Sequence, residues 1–275
     1  MTQASTVPAA GHVIEIPGGR LYYEVRGQGP LVALVGAPMD ATSFEPLADL
    51  LAADHTVLTT DPRGINRSPL DDPDQDSTPE LRAEDLSLLL TRLEAGPATV
   101  LGSSGGAVTA LALAQARPEQ VRAVVAHEPP LIELLPDRER LHAATDDLVA
   151  AYLAGDVAGA WAKVMAQAGI DVPEEALEAM FGGDRDPQAV ADERRWFAHE
   201  MRATTRWRPD LDLLRASPVD VVVGIGEDSA GQLCDRTSRA LAAALGLEPV
   251  IFPGDHTGFA DHPGRFAARL RAVLR

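Results

Sequence analysis

Ala98-Thr-Val-Leu-Gly102-Ser103-Ser104-Gly105-Gly106-Ala-Val-Thr-Ala-Leu111 is a short apolar run, a cluster of glycine and serine, and then an alanine- and leucine-rich stretch. That order reads as strand, sharp turn and helix. The turn holds G-x-S-x-G centred on Ser104. A serine on such a strained turn needs small residues two places before and two places after it, because larger side chains would collide there. Ser104 has Gly102 and Gly106 in those places, whereas Ser103 has Leu101 two places before it and fails the same test. The following helix aims its first N–H groups at the serine and favours negative charge on a reacting oxygen, so the N–H of Gly105 is an expected oxyanion donor. The plainer alternative is a Gly/Ser-rich turn that only caps a helix.

Outward from this turn the same alternation continues. His12–Pro17 and Arg20–Val25 alternate in polarity and meet at Gly18–Gly19, which predicts a hairpin. Leu31–Val35, His55–Thr60, Ala98–Leu101 and Val121–Ala126 are buried-type strands, separated by helical patterns over Ser43–Ala52, Thr78–Glu94 and Ala107–Ala116. Apolar strands alternating with helices imply parallel βαβ units. Strand patterns then stop. Three helical patterns follow, carried by Leu141, Leu148 and Tyr152, by Val157, Trp161, Val164 and Met165, and by Val190, Phe197 and Met201. Pro173, Gly182–Gly183 and Pro187 punctuate the gaps between them. Strands resume at Val219–Val223 and Pro249–Phe252, with helices over Gln232–Leu245 and Pro263–Leu274. The expected fold is α/β, a mostly parallel eight-stranded sheet with helices on both faces and a helical cap insertion. The expected division is a core over residues 1–128, a cap over 129–209 and the rest of the core over 210–275.

The bulk numbers narrow the function classes. Across 275 residues, 24 Lys and Arg oppose 41 Asp and Glu, a net charge of −17. Such a surface repels phosphate backbones and anionic membranes, so neither nucleic acid nor a membrane is an expected partner. A small-molecule substrate is. One cysteine, Cys234, allows no intrachain disulfide. It sits in a helix-like stretch with Leu233, Ala240 and Leu241, where a small buried thiol is the expectation. Met1–Gly11 lacks the basic and apolar regions of a signal peptide, and no run of about 18 apolar residues exists to span a bilayer. A cytoplasmic protein is expected, with its oligomeric state open.

A histidine follows the last strand in Val250-Ile-Phe-Pro253-Gly-Asp-His256-Thr-Gly-Phe259. Together with the Ser104 turn, this makes the chain from about Val13 onward resemble the α/β-hydrolase fold family, in which serine, acid and histidine occur in that order. The resemblance implies that His256 is the base of Ser104. Gly36-Ala37-Pro38, with Phe44 beyond it, stands where the family has His-Gly-x-Pro and implies a second oxyanion donor at the N–H of Ala37. Asp61-Pro-Arg63-Gly64-Ile-Asn66-Arg67-Ser68 matches Asp-x-Arg-Gly-x-Gly-x-Ser, with Asn66 replacing a glycine in a turn that asparagine tolerates. His262 reads as a helix cap, and His12, His55, His142 and His199 as structural or solvated. No histidine pair has metal-ligand spacing with a third ligand, so no metal and no cofactor are expected.

The acid is the member that the motifs leave open. The family places it as Gly-x-x-Asp after the strand that follows the cap. Here the chain reads Gly224-Ile-Gly226-Glu227-Asp228-Ser229, which offers Glu227 or Asp228 out of register and Ser229 in register. The other location in this superfamily is directly after strand six, where His127-Glu128-Pro129-Pro130 puts a glutamate at the mouth of a buried strand. A similar His-Glu-Pro-Pro, coupled to a Gly-Glu-x-Ser without Asp, characterises uncharacterised bacterial members, and this favours Glu128. The implied activity is a serine esterase: a hydrolase cleaving a small to medium carboxylic ester, lactone or thioester through an acyl-enzyme. Trp161, Met165, Trp196, Phe197 and Met201 are candidates for an apolar pocket, or else pack the cap helices on each other. The alternatives are C–C hydrolysis, acyl transfer or cofactor-free perhydrolysis on the same fold, or a non-catalytic binding protein.

Overall fold

The computed structural model describes residues 10–181 and 183–274. The stretch 1–9, most of the N-terminal segment considered above, lies outside the described residues. Eight strands form one sheet: β1 (Ala10–Ile16), β2 (Gly19–Arg26), β3 (Leu31–Val35), β4 (Thr56–Thr60), β5 (Ala98–Ser103), β6 (Val121–His127), β7 (Asp220–Gly226) and β8 (Val250–Phe252). Their order is β1-β2-β4-β3-β5-β6-β7-β8. The first two junctions are antiparallel and the rest parallel. β3 through β6 are buried almost without interruption because both of their faces are covered.

On one face lie α1 (Glu45–Leu51) and, at the far end of the chain, α12 (Pro263–Val273), with Phe44, Leu47, Phe266 and Leu270 fully buried between helix and sheet. The other face carries α2 (Pro79–Leu93) and α3 (Gly105–Ala116), whose Leu86, Leu89, Val108 and Leu111 pack on Val100 and Val124. Each such side chain contributes about 1.5–3 kcal/mol when fully removed from water, so the sheet is clamped from both sides.

Between β6 and β7 the chain is helical: α4 (Arg138–Leu153), α5 (Val157–Ala168), α6 (Glu174–Phe181), α7 (Pro187–Arg195), a π-helical turn at Trp196–Glu200, α8 (Met201–Thr205) and α9 (Leu211–Ala216). α6 was not expected from the sequence, where Pro173 reads as a gap. Instead, the Pro173 carbonyl accepts from Leu177 N at 3.1 Å and opens a helix, a position where a proline's fixed φ and missing N–H are harmless. Leu148, Val149, Tyr152, Phe197 and Met201 make a separate core inside this insertion. The last helices are α10 (Leu233–Leu245), the single turn α11 (Gly258–Asp261) and α12. Among the described residues no helix is long and apolar enough to cross a membrane.

The insertion is tied to the core at Arg195. Its guanidinium donates to the carbonyls of Arg63, Pro73 and Gln75. Gly64 permits this approach, since a Cβ there would stand 1.8 Å from Arg195 Nε. Asn66 adds a second tie: it takes the expected left-handed turn (φ 47°), and its N–H donates to Asp192 Oδ1 at 2.9 Å.

Candidate active site

Ser104 sits on a strained backbone at φ 55°, ψ −125°, between the last residue of β5 and the first of α3. The glycine requirement is steric, as expected. A Cβ on Gly102 would lie 2.2 Å from the Gly106 carbonyl oxygen, and one on Gly106 would lie 2.0 Å from that of Val35. Ser103 is buried, with Oγ 3.0 Å from His127 Nδ1, while Ser104 is partly exposed. The backbones of Gly105 and Ala37 pack so closely that a Cβ on Gly105 would stand 2.6 Å from the Ala37 oxygen. Neither the Ala37 nor the Gly105 N–H finds a protein acceptor among the described residues.

Sheet topology brings the other candidates to the same edge. β3 and β5 are parallel neighbours with Val35 opposite Gly102, so Ala37 and Ser104 both emerge at their carboxyl ends. The chain order reverses across these strands, with β4 on one side of β3 and β5 on the other, and ligands of open α/β sheets bind at such a crevice. β6 ends one strand further along, with His127 opposite Ser103 and Gly224 of β7 opposite His127. Glu128 follows at once, and His256 lies in the loop after β8.

Glu128 and His256 meet. His256 Nδ1 is 2.6 Å from Glu128 Oε2, and Gly226 N donates to Glu128 Oε1 at 2.8 Å. Glu128 is fully buried and takes φ 51°. Among the described residues, the other non-glycine residues at positive φ, Ser104 aside, are Asn66 in its turn and Glu94 at the end of α2. Ser104 and Glu128 are thus the two strained residues at the sheet edge, and such strain gathers at functional sites.

Burial pushes the Glu128 carboxyl up, but the His256 hydrogen bond and nearby imidazole charge outweigh it and hold the group at about 2. Burial pulls His256 down, but the Cys234 sulfur and the Glu128 carboxylate beside the ring outweigh that and raise it. His127 goes the other way. It is sealed in the core edge-on to Phe252, Phe259 and Phe266, and burial lowers it to about 4.

Several expectations need correction. Glu227 and Asp228 are exposed, and Glu227 pairs with Arg265 Nη2 at 2.9 Å instead of with His256. Cys234 is not a buried structural thiol. It is half-exposed in the first turn of α10, and its sulfur, a Glu128 oxygen and a His256 nitrogen all lie within 4.8 Å of one another. Spacing along the chain cannot reveal a cluster assembled from three separate segments. Phe197, in the π-helical turn, and Met201, the first residue of α8, are enclosed in the core of the insertion, with Phe197 stacked on Tyr152. Trp161, Met165 and Trp196 are half-buried. His262 stands at the start of α12 but makes no side-chain capping bond.

Residues 31–269 match the family described as the alpha/beta hydrolase family. The chain belongs to that family. Among relatives, an uncharacterized hydrolase, YraK of Bacillus subtilis (strain 168), is 31% identical over 268 residues, covering 95% of this chain and 94% of that protein. A zearalenone hydrolase of Bionectria ochroleuca is 28% identical over 270 residues, covering 92% and 94%. The solved esterase from Exiguobacterium antarcticum superposes with a TM-score of 0.72 at 19% identity, covering 96% of this chain and 99% of that one, a likeness of fold. Within this alpha/beta hydrolase, the in-register position of Gly-x-x-Asp is Ser229. It is buried, and its hydroxyl adds to the lowering of the Glu128 carboxyl.

Proposed function

We propose that this alpha/beta hydrolase is a serine hydrolase acting on a small to medium carboxylic ester, lactone or thioester, with Ser104 as nucleophile, His256 as base and Glu128 as the acid of the triad. The observation that carries the reading is the 2.6 Å contact between His256 Nδ1 and Glu128 Oε2 at the sheet edge that also holds the strained Ser104. With Nδ1 committed to the carboxylate, Nε2 is left to accept the Ser104 proton. The Ser104 oxygen bonds to the substrate carbonyl carbon, and the carbonyl electron pair moves onto its oxygen. The N–H groups of Ala37 and Gly105 hold that oxyanion, at the N-terminus of α3. Collapse expels the alcohol or thiol, which leaves with the proton from His256. Water then gives a proton to His256 and attacks the acyl carbon, and Ser104 departs with that proton.

The insertion roofs the site in this reading, and Trp161, Met165 and Trp196 offer its half-buried apolar surface to an acyl group. The names of the relatives, a zearalenone hydrolase and an esterase, support hydrolysis of an ester-like bond. The net charge of −17 supports a small-molecule substrate in place of nucleic acid or an anionic membrane. The single cysteine supports a cytoplasmic location.

Labelling with a fluorophosphonate and mapping the site by mass spectrometry tests the nucleophile, alongside turnover of p-nitrophenyl esters of increasing chain length. The expected result is modification of Ser104 alone, lost in Ser104→Ala, and turnover of at least one ester. Labelling elsewhere, or none, overturns the reading.

A further inference from the structure

Beside Glu128 and His256 stands a thiol, Cys234, that ester hydrolysis does not use. Cys234 Sγ, a His256 ring nitrogen and a Glu128 carboxylate oxygen lie within 4.8 Å of one another. Each comes from a different place: the first turn of α10, the loop after β8 and the end of β6. Glu128 is buried, while Cys234 and His256 are each partly open to solvent, so a hydrated ion can reach the cluster from outside.

We propose that Glu128, Cys234 and His256 form a binding site for a thiophilic divalent cation of the zinc type, and that an ion bound there switches hydrolysis off. The proposal rests on His256 being the base, as above. Thiolate, imidazole and carboxylate are the donor types that Zn²⁺ prefers, and three protein donors plus a water is a common four-coordinate set. At metal–ligand distances of about 2.0–2.3 Å, tetrahedral ligands stand about 3.3–3.7 Å apart, so side-chain rotations suffice to close donors that already lie within 4.8 Å. Cys234 gives up its thiol proton to solvent as the Zn–S bond forms. His256 spends a lone pair on the ion, and Glu128 turns an oxygen from imidazole to metal. No redox change occurs. The imidazole can then neither take the Ser104 proton nor hold its catalytic tautomer.

The chain has a single cysteine, which makes cobalt a clean probe: any thiolate-to-cobalt charge-transfer band must come from Cys234. The full-length protein, stripped with chelator, is titrated with Co²⁺ and followed by near-ultraviolet absorption. p-Nitrophenyl ester hydrolysis is titrated with Zn²⁺ in parallel. The wild type is expected to show the band, and Cys234→Ser and Cys234→Ala to lack it. His256→Ala should weaken cobalt binding, which a thiol acting alone would not do. Outer-shell partners already contribute about 10–100-fold to metal affinity, so loss of a ligand should weaken zinc inhibition at least about tenfold in either Cys234 variant, relative to its own metal-free rate.

Absence of the band in the wild type overturns the site, as does a band unchanged in His256→Ala. Equal zinc inhibition in wild type and Cys234 variants overturns the blocking role. A full cobalt response in a protein with no esterase activity upholds the metal site and instead removes the hydrolase reading. Circular dichroism on both cysteine variants separates loss of ligand from loss of fold.

Discussion

The Nδ1 atom of His256 stands 2.6 Å from Oε2 of Glu128, a residue 128 positions earlier at the end of another strand. The carboxylate's second oxygen accepts the Gly226 N–H at 2.8 Å, so the side chain is held from two directions inside the protein. A buried carboxylate so fixed can select the imidazole tautomer and stabilise its charged form.

Removal of this carboxylate should therefore cost far more than removal of its neighbours. Glu128→Ala is expected to lower kcat by about 10³–10⁴-fold, the scale seen when a triad acid is lost, while Glu227→Ala stays within a few-fold of wild type. Adding Ser229→Asp to Glu128→Ala should return part of the loss, because Ser229 is buried beside the same carboxylate. Steady-state kinetics on one ester checks all three. Near-normal turnover by Glu128→Ala would remove it from the triad.

The raised pKa of His256 sets the direction of the pH profile. A base must be neutral to accept a proton, so kcat/KM should fall as pH drops through a value above the ordinary 6.5 of histidine. Glu128, held at about 2, stays ionised throughout and does not shape this limb. Cys234→Ser should move the limb downward, since the sulfur beside the ring is the leading cause that raises it. The same shift links to stability: His256 contributes fully below 6.5, and that contribution fades as pH rises through the raised value. Profiles recorded in chelator-containing buffer check the direction.

The elbow leaves no room for a methyl group. Gly102→Ala and Gly106→Ala place a Cβ 2.2 Å and 2.0 Å from backbone oxygens that belong to packed elements. Each should destabilise the fold by about 1–3 kcal/mol or displace Ser104, seen as a lower urea midpoint or lost fluorophosphonate labelling. Ser103→Ala removes only a hydrogen bond to the neutral, buried His127. It should cost about 1 kcal/mol and leave labelling intact.

Arg195 is the latch of the insertion. Truncating it to alanine strips three carbonyls of their charged donor and should cost about 2–3 kcal/mol, measured by urea denaturation. Gly64→Ala should act through the same contact, since its Cβ would displace the guanidinium.

Local patterns were enough for most of the architecture. Short, valine-rich apolar runs flanked by glycine and proline, such as Leu31–Val35, read as strands covered on both faces, and the glycines around Ser104 fix that serine as the one on the sharp turn, because these requirements act over a few residues. Pro173 misled as a gap because a proline ends one helix and begins another with the same chemistry, and only the chain beyond it shows which. The proposed acid lay beyond local reach. Glu128, Glu227 and Asp228 are equivalent as residue types, and what separates them is that β6 and β7 end side by side, burying Glu128 against the loop after β8 while Glu227 faces Arg265. Cys234 is the extreme case. Nothing near it in the chain marks it, yet the assembled fold brings its sulfur to Glu128 and His256. Strands, helices and the elbow follow from interactions between sequence neighbours, whereas the places of Glu128 and Cys234 beside His256 depend on contacts that exist only once the sheet has assembled.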